Sequence, residues 1–361
     1  MKNMRIFIIL LALLATFVDG YACTSAIIST SKSSERVPML WKHRDASSWN
    51  CRVAYVEGGK YAYTALVSLN GKYTYCGINE KGFAVMNTVS HNIPNKAKGS
   101  QRSSAIILMA EILRECATVE EFEAWLAKSN GARPYVTNYA VGDPSGKAAY
   151  FEVGQESYTR YDVSDRAEGF DVRSNYSFTG DLVNPGPSTP RYDVIVEQMK
   201  GKSVYTPYEF INYSRNYMMA GGGCVLDSAE RVVVDNSSVA RYISSASAVM
   251  VCDASNPRML VAVGHPAAGM AVPVYVKAKN AIPECVSGRA MLDLCNDFRT
   301  ATHKKISKEK HELDKATIQK VVNIETKCEM PSQMPENITK FNNKVDKLFA
   351  KHAKRVRKVL M

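Results

Sequence analysis

Short strand-like segments separated by tight turn signals run through the first hundred residues, and they limit the chain to a fold built on antiparallel sheet. Residues 23–30 and 37–43 alternate as two strands around a polar turn. Asn70-Gly71 lies between two apolar runs and is a strong hairpin signal. Strands joined by such short turns pair antiparallel. The other strand-like runs of this part are residues 53–56, 61–69, 73–78 and 83–86.

The period then becomes helical, and strands return later. Residues 103–116 have helical spacing, and Thr118 with Glu121 forms a capping box for a second helix that ends near Lys128. Strands and helices in this order predict an α+β fold, a four-layer αββα sandwich of two mainly antiparallel sheets. Further helices are predicted at residues 190–199 and 208–216, and further strands at residues 136–141, 148–153, 170–174, 246–252, 259–263 and 272–276.

The amino terminus has the layout of a secretory signal peptide. Lys2 and Arg5 precede a short apolar run, and small residues follow up to Ala22. The run is too short for a comfortable membrane span. We therefore expect residues 1–22 to be a signal peptide cleaved after Ala22, and an exported protein in the periplasm, outside the cell or at its surface. Cleavage would make Cys23 the first residue of the mature chain.

A free amino terminus on a cysteine has direct chemical consequences. An α-amino group titrates near ~8 and a thiol near ~8.5, so the amine of Cys23 can take the proton of its own thiol. Such a residue is a nucleophile with its own base. Two other interpretations stay open. Cys23 can be an arbitrary first residue, or it can be lipidated as in bacterial lipoproteins, although Gly20 and Tyr21 fit a lipidation signal poorly.

Charge is concentrated at the carboxyl end. The chain carries a net charge of +11, and residues 304–361 hold 15 Lys and Arg against 7 Asp and Glu. This tail is either a solvated helical face or a weak contact for an anionic surface. No basic motif with interleaved aromatic residues points to nucleic acid. We divide the chain into the signal peptide, a catalytic domain at 23–286 and a helical basic extension at 287–361.

Nine cysteines in an exported protein permit disulfides, and an even number remains once Cys23 is set aside. No cysteine or histidine cluster has the spacing of a zinc site, so we expect neither metal nor cofactor.

Several motifs follow Cys23 in an order that resembles the cysteine branch of the N-terminal nucleophile (Ntn) hydrolases, the choloylglycine hydrolase and penicillin acyltransferase group. Cys23-Thr24 is similar to the start of mature choloylglycine hydrolases. The family then has an Arg-x-x-Asp motif, with its Arg near the thiol and its Asp near the amine. When the motif is aligned on Asp45, Lys42 occupies the position of the family's Arg. Arg44 lies directly before Asp45. Strand alternation would place Lys42 and Arg44 on one face and Asp45 on the other.

Three further positions are carried over from the resemblance. Asn87, after a hairpin that begins with Gly77, matches an Asn that helps to bind the oxyanion, and a loop-capping role is the alternative. Asn175 matches the second oxyanion donor, and Arg241 matches an Arg near the thiol. His265 reads as a loop residue and not as a base.

The resemblance implies a secreted hydrolase of linear amide bonds that acts on a small-molecule amide through a thioester on Cys23. An acyltransferase of the penicillin-acylating type and a lipid-anchored binding protein without catalysis are the alternatives. Residues 88–102 and 178–190 are the loops in which we expect substrate choice to lie.

Overall fold

The structure is a computed structural model that describes residues 22–95, 102–131, 133–164, 166–217, 225–226, 232–235, 237–307, 310–324 and 326–361. Apart from Ala22, the predicted signal peptide lies outside these residues, as do the Gly221–Gly223 segment and Cys224.

Cys23 lies on an inner strand of a six-stranded sheet. The sheet has the order β10-β1-β2-β13-β14-β15, and all its neighbouring strands are antiparallel. The strand after Cys23 therefore has partners on both sides. The strands are β1 (Ala22–Ile28), β2 (Met39–Asp45), β10 (Phe170–Arg173), β13 (Ser244–Val251), β14 (Arg258–Val263) and β15 (Val272–Tyr275).

The second sheet is a seven-stranded antiparallel meander in which every strand pairs with the next one in sequence. Its β4–β5 turn contains the predicted Asn70-Gly71 pair, and Gly71 has a φ of 73°, a conformation that suits glycine. The strands are β3 (Cys51–Val56), β4 (Tyr63–Ser68), β5 (Thr74–Asn79), β6 (Ala84–Val89), β7 (Thr137–Gly142), β8 (Ala148–Val153) and β9 (Tyr158–Asp162).

Helices cover the outer face of each sheet. Helices α1 (Arg102–Glu115) and α2 (Val119–Ala127) pack on the seven-stranded sheet, and α3 (Thr189–Met199) and α4 (Pro207–Tyr213) pack on the six-stranded one. The inner faces of the two sheets share one hydrophobic core that includes Ile27 and Met86. This arrangement confirms the predicted αββα sandwich.

The part after residue 286 packs on the sandwich and is less uniformly helical than we predicted. Short strands β16 (His303–Lys305) and β17 (His311–Leu313) pair with each other, and β17 also pairs with β12 (Val232–Val234), which pairs with β11 (Val225–Leu226). The helical period therefore misses a short hairpin, the second strand of which also pairs with the distant β12. The helices of this part are α5 (Glu284–Ser287), α6 (Ala290–Thr302), α7 (Lys315–Val322) and α8 (Ile338–Leu360). A single 3₁₀ turn, Val276–Ala278, precedes them.

Every cysteine in the described residues is a free, buried thiol, so the structure contains no disulfide there. Among the described helices, none combines the length and the apolar character that a membrane crossing requires.

Candidate active site

The side chain of Cys23 faces the seven-stranded sheet. Cys23 pairs with Arg44 across the strands and is only 6% exposed. Its neighbour on the same face, Ser25, bonds the hydroxyl of Tyr150 in the facing sheet at 2.9 Å. The Cys23 thiol lines a narrow cavity of about 10 Å³, enough for roughly one water. The other residues around this cavity are Lys42, Arg44, Tyr75, Asn87, Val89 and Ile106.

Lys42 and Arg44 both reach this cavity, as strand alternation predicts. The Lys42 ammonium donates to the Asn87 carbonyl oxygen and, at 3.1 Å, to Asn87 Oδ1. Arg44 Nη1 donates to Ser245 Oγ at 2.5 Å, and its guanidinium carbon lies 3.8 Å from the centre of the Tyr75 ring. Arg44 Nη2 is buried and has no hydrogen-bond partner among the residues that the structure describes.

These two cations are buried without a counter-charge. Lys42 is 3% and Arg44 2% exposed, and within the described part of the chain no carboxylate lies at ion-pair distance from either. Burying an unpaired charge is costly, and proteins normally pair it. The cavity that Cys23 shares with them therefore favours a negatively charged species, such as a thiolate or an oxyanion.

Asp45 faces the opposite side of the sheet, where it is fully paired. Its Oδ2 accepts from Arg241 Nη2 at 2.6 Å, and its Oδ1 accepts from Ser244 Oγ at 2.8 Å and lies 2.8 Å from His43 Nε2. Burial opposes ionisation, but Arg241 and His43 hold the Asp45 pKa below its ordinary value. Arg241 therefore lies at Asp45.

Asn175 lies at the backbone nitrogen of Cys23. That nitrogen donates to Asn175 Oδ1 at 2.6 Å, and Asn175 Nδ2 donates to the Val89 carbonyl at 2.9 Å. Arg191 contacts both residues. Its Nη2 donates to Asn175 Oδ1 at 3.0 Å, and its Nη1 donates to the Cys23 carbonyl at 2.8 Å. Burial, with Arg241 nearby, lowers the Arg191 pKa to about 9.

The Asn175 amide is oriented differently from its expected role as an oxyanion donor. It presents its oxygen to the Cys23 nitrogen, and one of its N–H groups donates to the Val89 carbonyl. One N–H group of Asn87 donates to Thr137 Oγ1 at 3.2 Å, and an amide nitrogen carries two such groups, so the expected role of Asn87 stays a prediction. The Arg44 guanidinium offers a further open donor at the cavity of the thiol. A sequence motif fixes the residue type but not which end of an amide points inward.

The segment that carries Asn175 is supported by a buried ion pair. Arg173 Nε donates to Glu152 Oε1 at 2.8 Å, and the same carboxylate accepts the backbone N–H groups of Phe178 and Thr179 at 2.9 and 2.8 Å. Glu152 therefore has a structural role, and it fixes the chain on both sides of Asn175.

Arg299 of the carboxyl-terminal part holds the turn that carries Arg241. Its Nε and Nη2 donate to the carbonyls of Tyr242 and Ser244, both at 2.7 Å, and it stacks over Trp49 at 3.8 Å. Burial lowers the Arg299 pKa to about 10. The last part of the chain is thus connected to the Asp45 cluster.

His265 is not placed as a base for Cys23. Its ring stacks on Tyr217 with centroids 5.9 Å apart, and its Nε2 lies 3.0 Å from the Arg241 carbonyl oxygen. Burial and neighbouring cationic groups lower the His265 pKa well below its ordinary value.

Sequence reasoning missed Arg191. The residue follows Pro190 at the start of α3 and lies on the buried face of that helix with Val194 and Ile195. An arginine on the apolar face of an amphipathic helix was the available signal, because such a charge needs a specific partner.

The two predicted substrate loops meet beside this site. Residues 89–95 of the first loop and Asp181 and Asn184 of the second line a cavity of about 410 Å³ together with Tyr135 and Val136. Asn92 joins the loops, since its Nδ2 donates to the Ser177 and Asp181 carbonyls at 2.8 and 3.2 Å. Val89 lines both this cavity and the one at Cys23.

No group of side chains suited to a metal ion occurs in the described ranges.

Comparison with known families supports the predicted resemblance. Residues 46–179, a little more than a third of the chain, match the family described as acyl-coenzyme A:6-aminopenicillanic acid acyl-transferase. The matched stretch starts directly after Asp45 and includes Asn87 and Asn175. No curated protein matches the chain.

Three solved structures are similar at low identity. A conjugated bile acid hydrolase from Clostridium perfringens is 12% identical over 71% of this chain and 93% of its own, with a TM-score of 0.44. An N-acylethanolamine-hydrolyzing acid amidase ortholog from Caenorhabditis elegans is 14% identical over 64% and 93%, with a TM-score of 0.44. A penicillin V acylase from Agrobacterium tumefaciens is 17% identical over 71% and 86%, with a TM-score of 0.41.

Proposed function

We propose that this chain, which is Ntn-hydrolase-like in fold and in its family match, is an exported hydrolase of linear amides with Cys23 as nucleophile. Removal of residues 1–22 would convert the Cys23 nitrogen from a peptide nitrogen into a free amine. Asn175 Oδ1 would remain its hydrogen-bond acceptor and keep its lone pair directed at the thiol.

The reaction would then use the Cys23 amine and thiol together with the cations at the cavity. The amine takes the thiol proton, and the sulfur attacks the amide carbonyl. The resulting oxyanion accepts from Arg44 Nη2, with the Lys42 charge nearby. The ammonium gives its proton to the leaving amine, and the C–N bond breaks to leave a thioester. Water attacks the thioester, its proton passes to the amine, and the thiol is restored as the acid leaves.

The observation that carries this proposal is the buried, unpartnered Arg44 Nη2 beside Cys23. A fixed positive donor in a site closed to water stabilises a developing negative charge far more than it would in solution. Asp45, Arg241 and Arg191 have a positioning role on the other side of the sheet. They hold β2 and the Cys23 backbone in register.

Acyl transfer is the second candidate, and the description of the matched family favours it. The same thioester would be attacked by an amine instead of water, and no other residue would change its role. The substrate in either case is a small-molecule amide, for which the cavity lined by residues 89–95, Asp181 and Asn184 is the proposed binding place.

Lipidation of Cys23 is the alternative that would consume the thiol. A mature amino terminus that is heavier by a diacylglyceryl group would identify the lipid-anchored protein and exclude the hydrolase.

The test compares the secreted protein with Cys23→Ser and Cys23→Ala variants on a panel of linear amides. We expect amino-terminal sequencing to give Cys in the first cycle, iodoacetamide to label the native protein, and both variants to lose turnover while they remain folded. Cys76→Ala is the matched control, because burial raises the pKa of the Cys76 thiol to about 12 and makes it unreactive. Full turnover by Cys23→Ala, or an active protein whose Cys23 nitrogen is still acylated, would disprove the mechanism. Adding a primary amine and measuring the ratio of amide to acid products separates the transferase from the hydrolase.

A further inference from the structure

The last helix, α8, carries a straight row of lysines on its exposed face. Neighbouring members are three or four residues apart, so they lie one above another along the helix. The row extends over about 27 Å at a rise of about 1.5 Å per residue. We call this row the lysine stripe, and its members are Lys340, Lys344, Lys347, Lys351, Lys354 and Lys358, all exposed.

The stripe has no counter-charge within the described part of the chain. Between Lys340 and Lys358 the only acidic residue is Asp346, and its carboxylate accepts the backbone N–H groups of Glu284 and Cys285 at 3.1 and 2.9 Å. Among the described residues, no carboxylate lies at ion-pair distance from any lysine of the stripe. Like charges at these spacings destabilise a helix, and the dipole favours cations only in its last turn.

The opposite face of α8 is fully used in packing. Val345, Phe349 and Val356 are buried in the core, and His352 Nε2 lies 2.8 Å from the Ala268 carbonyl oxygen. The helix is therefore held in place by its apolar side, and the stripe points outward on a fixed support. Because that apolar side is occupied, α8 cannot insert into a bilayer as a free amphipathic helix does.

We infer that the lysine stripe is a docking surface for an anionic lipid bilayer, contacted at headgroup level without insertion. A straight row of point charges on a rigid helix matches a flat, negatively charged surface. Each lysine near such a surface is attracted to it electrostatically and raises the binding affinity roughly fivefold. Nucleic acid is a poorer fit, because no exposed aromatic residue lies between Lys340 and Lys358 to stack on bases. This inference does not depend on the proposed catalysis.

The experiment measures co-sedimentation of the full chain with phosphatidylcholine vesicles that contain about one third phosphatidylglycerol. We expect binding at low salt, none to pure phosphatidylcholine, and release near 1 M salt, where the Debye length is about 3 Å. Neutralising four members of the stripe (Lys344→Gln, Lys347→Gln, Lys351→Gln and Lys354→Gln) should weaken binding by about 100-fold or more, because the roughly fivefold contributions of the four lysines multiply. Glutamine is a comparable helix former, so the melting temperature should stay the same or rise as repulsion is removed.

A matched control removes the same charge from dispersed exposed lysines (Lys72→Gln, Lys128→Gln, Lys200→Gln and Lys305→Gln). We expect this control to bind within about twofold of the native chain. If both variants lost vesicle binding equally, net charge alone would determine the binding, and the inference would be overturned. Equal binding to neutral vesicles would overturn it too, as would tighter stripe-dependent binding to a short duplex DNA than to the anionic vesicles.

Discussion

The backbone nitrogen of Cys23 donates to Oδ1 of Asn175 over 2.6 Å, and the amide nitrogen of the same Asn175 donates to the Val89 carbonyl. The Asn175 side chain is thus fixed at both ends, with its acceptor on the atom that would become the free amine. This relationship makes Asn175 a group that orients the base of Cys23.

Changing Asn175 to Asp should move the pH profile of the mature enzyme. The acceptor is kept, but a negative charge next to the amine stabilises its protonated form and raises its pKa. Since only the neutral amine can take the thiol proton, the acid limb of kcat/KM should shift upward by about one pH unit. Asn175→Leu, which removes the acceptor, should lower kcat by about 100-fold. An unshifted profile at full rate in Asn175→Asp would contradict this role.

Replacing Arg44 by Met should remove the donor for the oxyanion while the side chain keeps its approximate length. We expect kcat to fall by about 100-fold or more, the usual effect of losing such a donor, and KM to change little. Arg44→Lys should recover part of the rate because the charge returns. Arg52→Met is the control, since Arg52 donates to the Leu69 carbonyl and does not line the cavity at Cys23. Equal kcat in Arg44→Met and the native enzyme would exclude Arg44 from the chemistry.

Breaking the Arg241–Asp45 pair should destabilise the fold. Arg241→Met leaves the fully buried Asp45 carboxylate without its main counter-charge, which costs about 3–5 kcal/mol in the free energy of unfolding. Combining Asp45→Asn with Arg241→Met should restore part of the lost free energy of unfolding, because the buried carboxylate charge is then also removed. The Asp45 pKa is lowered in the folded state, so the stabilisation is present near neutral pH and is lost as the pH falls. Urea unfolding should therefore show a gap between native and Arg241→Met that narrows in acid.

Acid should destabilise the chain through buried His303. Burial, with Arg299 nearby, lowers the His303 pKa from 6.5 to about 3. Between these values the unfolded chain binds a proton that the folded chain does not, so stability falls as the pH falls, by about 1.4 kcal/mol per pH unit for this group. His303→Gln should reduce the pH slope of the free energy of unfolding by that amount, and exposed His91→Gln should leave it unchanged. An identical slope in His303→Gln would show that His303 does not carry the acid response.

The sequence determined most of the local structure near the site. Hairpin signals such as Asn70-Gly71 and the capping box at Thr118 are short-range, and the structure has a β-turn and a helix start at those places. Strand alternation also placed Lys42 and Arg44 on one face and Asp45 on the other. These features depend on a few neighbouring residues, so the pattern alone is sufficient.

Only the tertiary structure decided what these side chains contact. Asp45 is paired with Arg241, which lies 196 positions away, and Arg191 reaches the Cys23 carbonyl from a helix 168 positions away. The sequence likewise left open that the Asn175 amide turns its oxygen to Cys23 and that strands β16 and β17 interrupt the carboxyl-terminal helices. Such pairings are set by the packing of distant elements around shared buried charges, and no local pattern of residues encodes that packing.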